Sequence, residues 1–201
     1  MQMFTSKSEK LDNLLQMKNG FLKTSEAIAT GISRAYFREY VQKRGLERVA
    51  RGLYRSMNTW DDPMFVLQVR YPDLIFSHET ALYLLNLADR EPDPFTVTMR
   101  AGVNATALSN AGIKVYKIKA QLFEKGLVKV KSLSGNSLRS YNAERTICDL
   151  LRSRNHIEIQ TLQTAIKEYL RLEEKNIPQL MRYAKAFSVD KILRSYLEVL
   201  L

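Results

Sequence analysis

Two arginines four residues apart, Arg34 and Arg38, follow Ser33 on a segment that ends in Gln42-Lys43-Arg44. On a helix this spacing puts both guanidiniums on one side. A guanidinium offers the paired donors that match the acceptor edge of guanine, and a Gln amide matches adenine. A Ser hydroxyl at a helix N-terminus suits a phosphate. Arg48, Arg51 and Arg55 come next, so residues 31–55 hold seven basic residues against two acidic ones, a net charge of +5. A set of this kind supports recognition of a polyanion. Duplex DNA fits it better than RNA, because no stacking-strand or loop motif for single-stranded bases accompanies the charge. The simpler alternative is a basic helical bundle whose arginines are only solvated.

Other constellations offer less chemistry. His78-Glu79 invites a hydrolase or metal reading, but no HExxH follows, and adjacent helical residues point to different faces. Asp61-Asp62 stands beside Pro63, where helix capping or solvation explains the pair. Arg145 and Asp149 are spaced for a local ion pair. With one cysteine (Cys148) and two histidines (His78 and His156), neither a disulfide framework nor a cysteine-rich zinc site is available. No glycine-rich phosphate loop or nucleophile elbow is present. No catalytic residue, cofactor or metal is therefore expected.

The elements that must position the arginines read as a helix-turn-helix with a wing. Leu11, Leu14 and Leu15 give Ser8–Met17 helical spacing, and Asn19-Gly20 stops it. A short helix capped by Thr24 turns Ala27 and Ile28 inward and ends at Gly31, which permits a left-handed turn. Ser33 caps a second helix to about Lys43, with Phe37, Tyr40 and Val41 inward and Gly45 as its stop. Its other face shows Ser33, Arg34, Ala35, Tyr36, Arg38, Glu39 and Gln42. Leu46–Val49 and Leu53–Ser56 read as short strands around Arg51-Gly52, a basic hairpin. The expected DNA-contacting residues are Thr24, Ser33, Arg34, Tyr36, Arg38, Gln42, Lys43, Arg44, Arg48, Arg51 and Arg55.

The whole chain has 201 residues and a net charge of +10, enough for one large or two small domains. It divides near NTWDDP, residues 58–63. Residues 1–60 hold 11 basic and 5 acidic residues, while residues 61–201 hold 20 and 16. Met64–Val69 is a short apolar helix or strand. Ala81–Leu87 reads as a helix with Ser77 as its cap. Phe95–Met99, Ile113–Lys119, Leu127–Val130 and Leu138–Tyr141 alternate as strands. Ala143–Leu151, Thr161–Leu172, Ile177–Phe187 and Val189–Leu200 carry helical spacing. The expected fold class is α+β. An N-terminal winged helix-turn-helix (1–60) is followed by a C-terminal domain (61–201) with a small mixed sheet (61–142) and a helical bundle (143–201). The last helix, with Tyr196, Val199, Leu200 and Leu201, docks on its own domain or on a second copy. The lysines from Lys114 to Lys131 either guard strand edges or extend a binding surface. No run is long enough to span a membrane, and MQMFTSKSEK precedes no apolar signal core, so a cytoplasmic protein without membrane contact is expected.

Five stretches resemble one family: TSEAIATGIS with the following YV and RG, LERVARGLYR, FSHETALYLLNL, YNAERTICDLLR and LMRYAKAFSVDKILRSYLEVL. They are similar to the antitoxin and transcriptional repressor of bacterial AbiE-type abortive-infection systems, and the resemblance runs over nearly the whole chain. It implies a type IV toxin–antitoxin pair with a nucleotidyltransferase-like toxin. It also implies repression through inverted repeats in the operon promoter, and protection against phage by the pair. The DNA-reading role then falls to Ser33, Arg34, Tyr36, Arg38 and Gln42, and the wing role to Arg48, Arg51 and Arg55. Antitoxicity falls to Glu144–Arg152 and the C-terminal helices. Direct toxin contact and self-association on DNA are left open. The competing functions are a winged-helix regulator with a ligand-sensing or oligomerisation domain, a nuclease with a DNA-binding domain, and a protein-binding scaffold.

Overall fold

The computed structural model describes residues 6–200. Met1–Thr5 of the N-terminal segment and Leu201 of the last apolar stripe lie outside the described residues. The described chain forms two compact units. One runs to Pro72 and takes in Lys131–Leu138, and the other comprises Asp73–Val130 and Arg139 onward.

In the first unit the order is α1 (Lys7–Met17), β1 (Phe21–Lys23), α2 (Thr24–Ala29), α3 (Arg34–Lys43), β2 (Glu47–Ala50), β3 (Leu53–Arg55) and α4 (Pro63–Arg70). A capping box starts α1: the Glu9 amide donates to Ser6 Oγ at 3.1 Å, and the Ser6 amide donates to Glu9 Oε2 at 2.7 Å. Gly31 and Gly45, at φ of +83° and +60°, break the chain on either side of α3. The three strands pair antiparallel in the order β1-β3-β2. Strand β1 is too short to alternate visibly in the sequence, and it exists because its whole length pairs with β3. Leu11, Leu22, Ala27, Ile32, Phe37, Tyr40 and Leu46 form the core. Ala27 is buried as expected, whereas Ile28 is only half-buried. The Met64–Val69 segment is helical. Pro63 takes the first turn, and Asp62 Oδ1 accepts the Phe65 amide at 3.0 Å.

The second unit contains β4 (Ile75–Phe76), α5 (His78–Leu84), β5 (Thr96–Arg100), α6 (Thr106–Asn110), β6 (Lys114–Ile118), α7 (Ala120–Phe123) and the greater part of β7 (Leu127–Lys131) and β8 (Ser137–Tyr141). Then come α8 (Ala143–Arg152), a 3-10 turn (Arg154–His156), α9 (Ile159–Arg171), α10 (Ile177–Ala186) and α11 (Asp190–Leu200). The five-stranded sheet has the order β6-β5-β4-β8-β7. Its central strand, β4, is two residues long and carries no periodic signal. The sheet is mixed: β5 runs antiparallel to β4 and parallel to β6, and β4 runs parallel to β8.

The helix at Ala81–Leu87 in fact spans His78–Leu84, and the Ser77 hydroxyl does not cap it. That hydroxyl instead accepts from Thr98 Oγ1 at 2.9 Å and meets His78 Nδ1 at 2.9 Å. Helix α8 is buried from Glu144 through Leu151 and packs against α5, α9 and α10. It is the spine of a core that includes Ile75, Leu82, Tyr141, Leu162, Ile166, Tyr169 and Leu193. The last helix adds half-buried Tyr196 to that core and leaves Val199 exposed.

Candidate nucleic-acid interface

Helix α3 is anchored by one face and leaves the other free. Phe37 and Tyr40 are buried, and Phe37 meets Tyr54 of β3 edge to face, with ring centroids 5.4 Å apart. Tyr40 donates its hydroxyl to Asp12 Oδ1 at 2.7 Å, which ties α3 to α1. Burial, reinforced by Asp12, pushes the Tyr40 phenol well above its ordinary range, so it stays a donor. Opposite this anchor Arg34, Ala35, Arg38, Glu39 and Gln42 are exposed, and Tyr36 is half-buried. Ser33 Oγ accepts the Tyr36 amide at 3.3 Å, as its capping role requires.

The wing turn is brought to the start of α2. The Thr24 amide donates to Gly52 O at 2.8 Å. Thr24 does not cap α2: Lys23 holds the N-cap position, and no side chain bonds the first turn. Its position still counts, because Lys23, Thr24, Arg34 and Arg51 line one cleft of about 580 Å³. The structure therefore gathers the first residue of α3, the start of α2 and the wing turn into one concave surface.

The basic residues divide by their partners. Arg44 is paired with Asp12 beside Tyr40. Arg55, whose side chain is only 16% exposed, is paired with Glu47 at 2.6 Å and with Asp61. Both guanidiniums are occupied inside the unit. Arg48 is exposed and donates to its own hairpin, at Ala50 O and 3.4 Å. Arg51, Lys43, Arg34 and Arg38 are exposed, and no ion pair holds them among the described residues. Asp12 lies 32 residues from Arg44 in sequence, so spacing alone did not reveal that pair.

The other candidates are structural. His78 is buried and stacks on Tyr116, with centroids 3.5 Å apart, while its Nε2 meets Ser153 Oγ at 3.1 Å. Burial, with Lys114, Arg145 and Arg152 nearby, holds the imidazole well below its ordinary pKa and hence neutral. Glu79 faces Lys114 instead, at 3.4 Å. The Arg145–Asp149 pair is fully buried at 2.9 Å, and Arg145 Nη1 also donates to Leu122 O and Lys125 O, each at 2.7 Å. Burial pushes the Cys148 thiol up to about 12, so it is not a nucleophile. Glu144–Leu151 is core, and within the expected antitoxicity segment Glu144–Arg152 the exposed residue is Arg152. Of the lysines from Lys114 to Lys131, those on strands belong to β6 and β7, the two opposite edges of the sheet. Among the described residues no group of three or more His, Cys, Asp or Glu side chains could hold a metal ion. No described helix is long and apolar enough to cross a membrane.

Residues 9–56, from α1 to just past β3, match the family model described as "Transcriptional regulator, AbiEi antitoxin". No curated protein matches the chain. Among solved structures it is similar to the RV2827C protein from Mycobacterium tuberculosis. The TM-score is 0.53 at 14% identity, over 89% of this chain and 70% of that one. That likeness is one of fold.

Proposed function

We propose, from the match of residues 9–56 to the model of an AbiEi antitoxin and transcriptional regulator, that the chain is an autoregulating antitoxin. It binds inverted repeats in its own operon promoter and counteracts a nucleotidyltransferase-like toxin encoded beside it. The observation that carries the DNA half is the free face of α3. Arg34, Arg38 and Gln42 are exposed there on a helix whose opposite side is locked into the core by Phe37 and Tyr40. Such a helix enters the major groove, and Arg48 and Arg51 of the wing take the flanking phosphates.

A mobility-shift assay with promoter DNA tests it. Arg34→Ala and Arg38→Ala each remove one bidentate base contact, about 1–3 kcal/mol or roughly 5- to 150-fold in specific affinity. Wild-type affinity in both variants removes α3 from the reading role. A second reading, a regulator whose C-terminal unit senses a small ligand, is favoured by a cleft of about 380 Å³ where Glu79, Arg90 and Lys114 meet. Failure of the full chain to restore growth in cells producing the neighbouring toxin selects that reading.

A further inference from the structure

Beyond the wing, α4 adds a basic residue that the family match does not reach. A cleft of about 470 Å³ is lined by Arg48 and Arg51 of the wing and by Val69 and Arg70 of α4, with Val49 and Ala50 between them. No carboxylate lines it. The neighbouring cleft, which shares Arg51 and Val69, adds Lys23 and Arg34, again with no carboxylate. Elsewhere in this unit arginines are matched by acids: Asp12 for Arg44, and Glu47 and Asp61 for Arg55. Three guanidiniums around one concave surface repel one another unless an anion joins them, and the guanidinium fork matches phosphate geometry.

Arg70 is also held in place. Helix α4 is capped by Asp62, begins with Pro63, packs against β2, and sets Phe65 edge-on to Phe21 at 5.1 Å. A cation in the last turn of a helix is favoured by the helix dipole alone. The dipole does not explain why the wing arginines face the same cleft.

We infer that α4 extends the DNA contact: Arg48, Arg51 and Arg70 together hold a duplex backbone phosphate beside the wing, with Arg70 as a phosphate ligand outside the helix-turn-helix. The inference rests on the DNA-binding reading above. It is tested by fluorescence anisotropy of the full chain with the promoter duplex and with a scrambled duplex, over a range of salt concentrations. Losing one phosphate contact lowers the salt slope by about 0.9 and weakens binding about fivefold at 0.15 M salt. Arg70→Gln shows that change on both duplexes, Arg70→Lys shows less of it, and both melt as the wild type does, since Arg70 is exposed. An Arg70→Gln slope and affinity equal to wild type overturns the inference. If Arg38→Ala still abolishes the promoter preference in that case, the α3 assignment stands without α4. If the wild type binds neither duplex, both readings fall.

Discussion

At a φ of +49°, His78 holds a backbone conformation that few residues other than Gly and Asn adopt readily, and it does so while buried. The stack on Tyr116 and the two serine contacts keep it there. Because burial depresses its pKa, the folded chain binds fewer protons at this site than the unfolded chain once the pH falls below about 6.5. The stability it contributes is therefore complete above pH 6.5 and is lost on acidification, by up to about 1.4 kcal/mol per pH unit. Asp149 works in the opposite sense. Burial raises its carboxyl to about 6 despite Arg145, so its own term falls as the pH rises toward 6. Comparing wild type with His78→Asn cancels the Asp149 term, and asparagine tolerates the same backbone. Melting between pH 7.5 and 5 is expected to show the variant less stable at pH 7.5, with the gap closing below pH 6.5. A gap independent of pH means His78 is not held neutral. The sequence displayed His78 as a possible reagent, but its packing against Tyr116 and Ser153 depends on contacts across 38 and 75 residues of chain.

Among the elements, those with internal periodicity were the legible ones. Ser33, Phe37, Tyr40 and Gly45 defined α3 without help from the fold, and the stripes of α9 and α10 did the same. Strands β1 and β4 were not legible, because three and two residues contain no pattern and both strands are made by their neighbours. Helix α4 lay between these cases. Its apolar run fitted helix or strand, and the choice turned on Asp62. That residue is buried, caps α4, and accepts from Ser132 Oγ at 2.5 Å and Asn136 Nδ2 at 2.8 Å. Asp62→Ala removes the cap and leaves two buried donors unpaired, an expected loss of at least about 2 kcal/mol. Denaturant titration checks it. A loss within 0.5 kcal/mol of wild type means that α4 is held by its apolar face alone.

For the whole molecule, charge is distributed unevenly between the units. The unit that includes the winged helix holds 13 basic and 7 acidic residues, net +6, in 80 residues, and the remaining 121 residues hold 18 and 14, net +4. The full-length Arg34→Ala/Arg38→Ala variant is expected to release promoter repression at least tenfold in a reporter strain and still to restore growth against the toxin. Loss of both activities in a variant that melts normally means one surface serves both. Full-length variants are the appropriate tools, because the unit containing α3 is discontinuous: Lys131–Leu138 folds with it although most of the intervening chain does not. Ser132 and Asn136, the partners of Asp62, come from that distant stretch. A gene segment ending at residue 72 would therefore carry α4 without the partners that bond Asp62 at its start. A recombinant exchange that keeps α4 with the winged helix would have to carry the 131–138 stretch along with it.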